Sequence, residues 1–357
     1  MDIKTLLEFM VKQNISDIHL KADAAPLIRL NGRLIGSDQP PLTPELVKEL
    51  AYSLMSELHQ KEFEQEGELD FAYALGKISR FRVNVYRQKG SLALSLRVIP
   101  LQIKSFEELL LPTGTIKKLC DSPSGLILVA GVTGAGKTTT ANAMVNYINE
   151  NFANNIITIE DPIEFFHKDR QSSISQREVG KDTRSFATAL KYILRQDPDI
   201  IMIGEMRDPE TIAAAVTAAE TGHLVISTIH TMDAAQTVQR IVDSYPAGQQ
   251  SQIRMSLSNI LRGVIAQKLV LTVDGKTRLP CTEILVATPY IRQLIAEGKL
   301  MDLPTAMSRG QNEGMLTFDQ DLIRLTHDGL IAADTAVRES SRPENLTSML
   351  QGISVKL

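Results

Sequence analysis

The strongest constraint on this chain is a junction of three segments. The apolar, β-prone run 126–130 passes straight into Gly131-Val132-Thr133-Gly134-Ala135-Gly136-Lys137-Thr138, and residues 138–149 then continue with helical spacing. A strand, a G-x-x-x-x-G-K-[ST] loop and a helix in that order form an anion cradle. The glycines let backbone N–H groups turn inward around phosphate oxygens, and the helix N-terminus adds a favourable field. Lys137 places a cation at the β- and γ-phosphates, and Thr138 offers a hydroxyl to Mg²⁺. Gly131, Val132, Thr133, Gly134, Ala135, Gly136, Lys137, Thr138 and Thr139 are therefore the candidate nucleotide-binding residues, with ATP and Mg²⁺ as ligands. The motif is informative about the nucleotide and says little about what the nucleotide drives.

What surrounds the loop sets the fold class. Four short apolar runs, 126–130, 156–160, 200–203 and 224–228, alternate with helical stretches at 138–149, 185–195 and 211–219. Apolar strands alternating with amphipathic helices predict an α/β domain, a parallel sheet covered on both faces. From about 248 the pattern turns mostly helical, with one hairpin around Asp274-Gly275 and a capping box at Thr317-Phe318-Asp319-Gln320. Residues 1–98 read differently, as a smaller α+β unit. It comprises a helix over Ile3–Lys12, strands near 17–21, 26–30, 69–75, 80–87 and 92–98, a hairpin turn at Asn31-Gly32 and a second helix opening at Thr43-Pro44. Residues 99–112 read as the linker and 113–357 as the ATPase domain.

At 357 residues the chain accommodates two domains, and 43% hydrophobic residues suffice for their cores. A formal net charge of -4 and 5% aromatic residues argue against a nucleic-acid motor, which would grip phosphates through a basic channel and stack bases. Cys120 and Cys281 have no metal-ligand spacing and read as reduced core thiols. No run approaches a membrane span, and Met1-Asp2-Ile3-Lys4 leads into a helix without a signal pattern. The expected location is the cytoplasm, at the inner face of the membrane, which is reached only through a partner.

Ligands of open α/β sheets bind beyond the carboxyl ends of the strands. After the first run comes the phosphate loop; after the second, Glu160-Asp161-Pro162-Ile163-Glu164; after the third, Gly204-Glu205; after the fourth, Ile229-His230. Glu205 stands where a Walker B acid holds the Mg²⁺ shell, Glu164 is placed to orient the attacking water, and His230 to touch the γ-phosphate. Arg80, Arg82, Arg87 and Arg97 crowd the strands of the first domain. As arginine fingers, Arg82 and Arg97 would supply positive charge to a nucleotide from the other domain or a neighbouring subunit; otherwise the cluster is an exposed basic face.

These boxes resemble those of a known group. Ile159-Glu160-Asp161-Pro162-Ile163-Glu164 resembles the Asp box of secretion-type ATPases, and Thr221-Gly222-His223-Leu224 through Thr228-Ile229-His230-Thr231 their His box. With Gly204-Glu205-Met206-Arg207-Asp208 and Ser16-Asp17-Ile18-His19-Leu20, the chain looks like the type IV pilus retraction ATPases of that superfamily over nearly its whole length. The resemblance implies a PAS-like first domain, a RecA-like second domain and a homohexamer with nucleotide between subunits. It also implies an inner-membrane platform protein as partner, Glu164 as catalytic glutamate, Glu205 as Walker B acid and His230 in the His box. Assembly ATPases usually carry a four-cysteine zinc motif, and its absence favours retraction. The family's A-I-R-N-L-I-R-E motif reads here Tyr290-Ile291-Arg292-Gln293-Leu294-Ile295-Ala296-Glu297, which keeps an accessory retraction paralogue, or a pilus assembly or type II secretion ATPase, as the alternative.

Overall fold

The computed structural model describes residues 2–13, 15–30, 32–76, 78–99 and 102–352. The chain separates into two compact units, Met1–Gln102 and Ile103–Leu357.

The first unit runs α1 (Ile3–Lys12), β1 (Ile15–Lys21), β2 (Leu27–Leu30), β3 (Arg33–Gly36), α2 (Pro44–Leu54), α3 (Glu57–Glu66), β4 (Glu68–Leu75), β5 (Ser79–Gln88) and β6 (Ser91–Ile99). Its strands form one antiparallel sheet in the order β3-β2-β1-β6-β5-β4. The two-residue side-chain period divides the sheet into an apolar and a polar face. In β5, Phe81, Val83 and Val85 are buried while Arg80, Arg82 and Asn84 alternate with them on the other side. The apolar face shares a core with Leu7 and Met10 of α1 and Val47, Leu50 and Leu54 of α2. Thr43 caps α2 as its sequence predicts, accepting from the Leu46 N–H at 3.2 Å, with Pro44 in the first turn. Gly32 has φ 80° between the paired strands β2 and β3, while Asn31 of the predicted turn lies outside the described residues. Pro100 and Leu101 of the predicted linker also lie outside them.

The second unit begins with α4 (Thr113–Cys120), β7 (Gly125–Ala130), α5 (Lys137–Asn151), β8 (Asn155–Glu160), β9 (Ser173–Glu178), α6 (Phe186–Ile193), β10 (Ile200–Ile203), α7 (Pro209–Glu220) and β11 (Leu224–Ile229). It continues with α8 (Ala234–Asp243), α9 (Gln250–Ile260), β12 (Leu261–Leu271), β13 (Arg278–Val286), α10 (Pro289–Glu297), α11 (Leu303–Arg309), α12 (Phe318–His327), α13 (Ala333–Glu339) and α14 (Pro343–Leu350). Its sheet runs β13-β12-β7-β11-β10-β8-β9, parallel except for the antiparallel β13.

The central strands are buried on both faces, which is why they read as continuous apolar runs rather than alternating ones. Leu128, Ile157, Ile201 and Val225 pack with the helices α6 to α9. Ile127, Ile156, Met202 and Ile226 pack instead with Ile116 of α4 and with Met144 and Ile148 of α5. Pairing of Ile229 with Ala130, Ile203 with Ser227 and Ile159 with Ile203 brings the carboxyl ends of all four strands to one edge. The hairpin predicted around Asp274-Gly275 is the β12–β13 pair, and β12 joins the main sheet beside β7. Both cysteines are free and buried.

Candidate active site

The phosphate loop turns on three glycines in the left-handed half of backbone space: Gly131 at φ 151°, Gly134 at 80° and Gly136 at 89°. Two of them are also held against β12. A Cβ on Gly131 would lie 2.4 Å from the Gln267 carbonyl oxygen, and one on Gly136 would lie 2.7 Å from Gln267 Nε2. Gln267 is buried, donates from Nε2 to the Ala135 carbonyl at 2.7 Å and accepts at Oε1 from the Thr140 hydroxyl at 2.7 Å. The neighbouring strand thus ties the end of the loop to the first turn of α5. Nothing in the motif points to Gln267; the available signal is a polar residue closing the apolar run Val264-Ile265-Ala266 in a buried strand. Thr138 and Thr139 sit half-buried in that first turn.

Three strand ends meet through side chains. The Lys137 ammonium donates to the Gly131 and Val132 carbonyls at 2.8 and 3.2 Å and lies 3.5 Å from His230 Nδ1. His230 Nε2 lies 2.9 Å from Glu205 Oε1, and the other Glu205 oxygen pairs with Arg207 at 2.8 Å. With the lysine as donor, Nδ1 accepts and the imidazole N–H faces the carboxylate. Burial lowers the Lys137 ammonium below its ordinary value; Glu205 opposes this, Arg207 adds to it and Glu164 opposes it. The loop after β10 is fastened to β11 by the Thr228 hydroxyl on the Gly204 carbonyl at 2.6 Å and by the Met206 N–H on the Thr228 carbonyl at 3.0 Å.

Glu164 occupies the loop that leaves β8, half-buried, with its charge felt at both Lys137 and Glu160. Glu160, the last residue of β8, is buried and accepts at Oε1 from Thr158 at 2.7 Å and Gln176 at 3.0 Å. Burial pushes its carboxyl up to about 7 against those two hydrogen bonds. A cavity of about 780 Å³ is lined by Val132 to Ala135, Gln267 and Phe318 among others, and not by Lys137, Glu164, Glu205 or His230. The candidate catalytic side chains therefore gather at the strand ends and not in that cavity.

Residues 1–312 match the family described as "Type II/IV secretion system protein". The chain belongs to that type II/IV secretion system protein family. Within it, the chain is 44% identical over 345 residues to the twitching motility protein of Neisseria gonorrhoeae, covering 97% of this chain and 92% of that one. It is also 44% identical over 345 residues to the type IV pilus retraction ATPase PilT of Pseudomonas aeruginosa, covering 97% and 100%. The solved structure of the pilus retraction motor PilT with bound ADP superposes with a TM-score of 0.88 at 44% identity, over 98% of this chain and 100% of that one. The fold is accordingly α/β, with a RecA-like ATPase domain following a smaller amino-terminal domain.

For this member of the secretion family, the residues present suit a magnesium ion. Thr138 and Glu205 are hard oxygen donors and only two, which matches an ion that keeps most of its coordination for water and phosphate. Among the described residues no cluster of three or more His, Cys, Asp or Glu forms a dedicated metal cage. Arg82 and Arg97 belong to the first unit, directly opposite each other on β5 and β6. There Arg82 forks onto Asp70, at 2.9 Å from Nε and 2.5 Å from Nη2, and Arg97 Nε meets the buried Asp17 at 2.7 Å. In α10 the three departures from the family motif avoid the core: Tyr290 and Gln293 are exposed and Ala296 is half-buried, whereas Ile291, Leu294 and Ile295 are buried. Arg292, which the motif retains, donates to the Ser258, Asn259, Leu261 and Ala287 carbonyls, tying α10 to the end of α9.

Proposed function

We propose that this chain is a ring-forming, Mg²⁺-dependent ATPase, a homohexamer that turns ATP hydrolysis into retraction of a type IV pilus. It works in the cytoplasm at the inner face of the membrane and reaches the membrane through a platform protein. The observation that carries the chemistry is the direct line Lys137–His230–Glu205, which joins the phosphate loop, the His box and the Walker B acid. The biological role is supported by 44% identity across 97% of the chain to a retraction ATPase.

In this reading Lys137 exchanges the Gly131 and Val132 carbonyls for β- and γ-phosphate oxygens. Glu164 orients the attacking water, and His230 passes the state of the γ-phosphate on to Glu205. Thr138 and Glu205 hold the magnesium shell, where the ion supplies neutralising charge for the phosphates. Arg82 and Arg97 complete the site of a neighbouring copy and exchange Asp70 and Asp17 for phosphate in doing so.

Two experiments test the halves separately. Lys137→Ala should lower ATP turnover by at least about 10²-fold; near-normal turnover would refute the site. Deletion of the gene should abolish pilus withdrawal, and unimpaired withdrawal would refute the role while leaving the ATPase standing.

A further inference from the structure

β8 is buried on both faces, yet on the face that packs against α5 it carries Thr158 and Glu160 in line with Ile156. Polar groups there are costly unless paired, and the register places Gln176 of β9 directly beside Thr158. The Gln176 amide makes three hydrogen bonds. Nε2 donates to Glu160 Oε1 at 3.0 Å and to the Phe165 carbonyl at 2.8 Å, while Oε1 accepts from the His167 N–H at 2.8 Å. One side chain thereby pins the backbone immediately beyond Glu164.

The line of contacts continues into α5. His167 Nε2 meets Asn142 Oδ1 at 2.8 Å, and Asn142 Nδ2 donates to the Thr138 carbonyl at 2.9 Å. Because the Asn142 amide nitrogen is turned to Thr138, its oxygen accepts, so His167 carries its proton on Nε2. Burial holds His167 neutral by lowering it to about 4. The arrangement is retained at a cost, since Glu160 Oε2 and His167 Nδ1 are buried with no hydrogen-bond partner. Well-packed apolar side chains would stabilise the same space at least as well.

We infer that Gln176, His167 and Asn142 are positioning residues for hydrolysis, holding the loop that carries Glu164 in register with the turn that carries Thr138. The two ends they connect are the water side and the metal side of the site. Displacement of either by about 1 Å costs on the order of 10²-fold in rate without loosening the phosphate loop's hold on nucleotide. The inference rests on the proposed roles of Glu164 and Thr138.

The experiment measures steady-state ATP turnover, ADP affinity and thermal midpoint for His167→Leu, His167→Gln, Gln176→Leu and Glu164→Gln beside the unaltered protein. The two leucine variants should lose about 10- to 100-fold in kcat with ADP affinity kept within about threefold. His167→Gln, whose amide N–H reaches nearly the place of Nε2–H, should recover kcat to within about threefold. A His167→Leu protein with unaltered kcat would overturn the inference, as would loss of ADP affinity in parallel with kcat and no recovery in His167→Gln. If Glu164→Gln kept full turnover, the assignment of Glu164 would fall and this inference with it. Loss of activity in Glu164→Gln with full activity in both leucine variants would sink the inference alone.

Discussion

At the residue scale, a tight steric tolerance lies where the phosphate loop meets Gln267. Gly131 combines a positive φ with a Cβ position 2.4 Å from a backbone oxygen, so no side chain is accommodated without moving β12. Gly131→Ala should cost about 1–3 kcal/mol in stability and weaken ADP binding, which a thermal melt with and without ADP would show. Glu160 sets a different test. Its carboxyl is raised by burial from 4.5 to about 7, so between these pH values the folded state holds a proton that the unfolded chain releases. The stability tied to that proton is complete below about 4.5 and is lost as pH rises through about 7. Glu160→Gln should remove this fall, which amounts to about 1.4 kcal/mol per pH unit across the window. Denaturant titrations of both proteins between pH 5 and 8 would check it; parallel pH profiles would contradict it.

At the scale of elements, legibility followed local chemistry. Two helix starts are legible from their caps, Thr43-Pro44 at the start of α2 and the capping box of α12, where Thr317 and Gln320 satisfy each other's backbone N–H groups. Thr317→Ala should cost about 1 kcal/mol, read as a lower thermal midpoint. α3 and β9 escaped the reading for opposite reasons. α3 has one fully buried residue, Phe63, too little for a periodicity, although Ser56 and Gly67 cap it. β9 is the edge strand Ser173-Ile174-Ser175-Gln176-Arg177-Glu178, whose polar residues look like a loop until their hydrogen bonds to β8 and to the loop after it are seen.

At the scale of the molecule, the proposed completion of the site by a neighbouring copy predicts that specific ATPase activity rises with protein concentration in step with assembly size. Light scattering and turnover measured on the same samples would show this, and a fully active monomer would refute it. Mixing Lys137→Ala with Arg82→Ala subunits should restore part of the activity that each lacks alone, because mixed rings contain some intact sites. The phosphate loop, the four buried strands and the polar groups beyond them are legible along the chain, because strands covered on both faces must be continuously apolar and their ends are then conspicuous. Packing in three dimensions selected which side chains meet. It turned Lys137, His230 and Glu205 toward one another, inserted β12 beside β7 so that Gln267 clamps the loop, and joined Glu160, Gln176, His167 and Asn142 across three elements. Such pairs lie as many as 132 residues apart in sequence; their contacts come from sheet order and register, which residue periodicity does not encode.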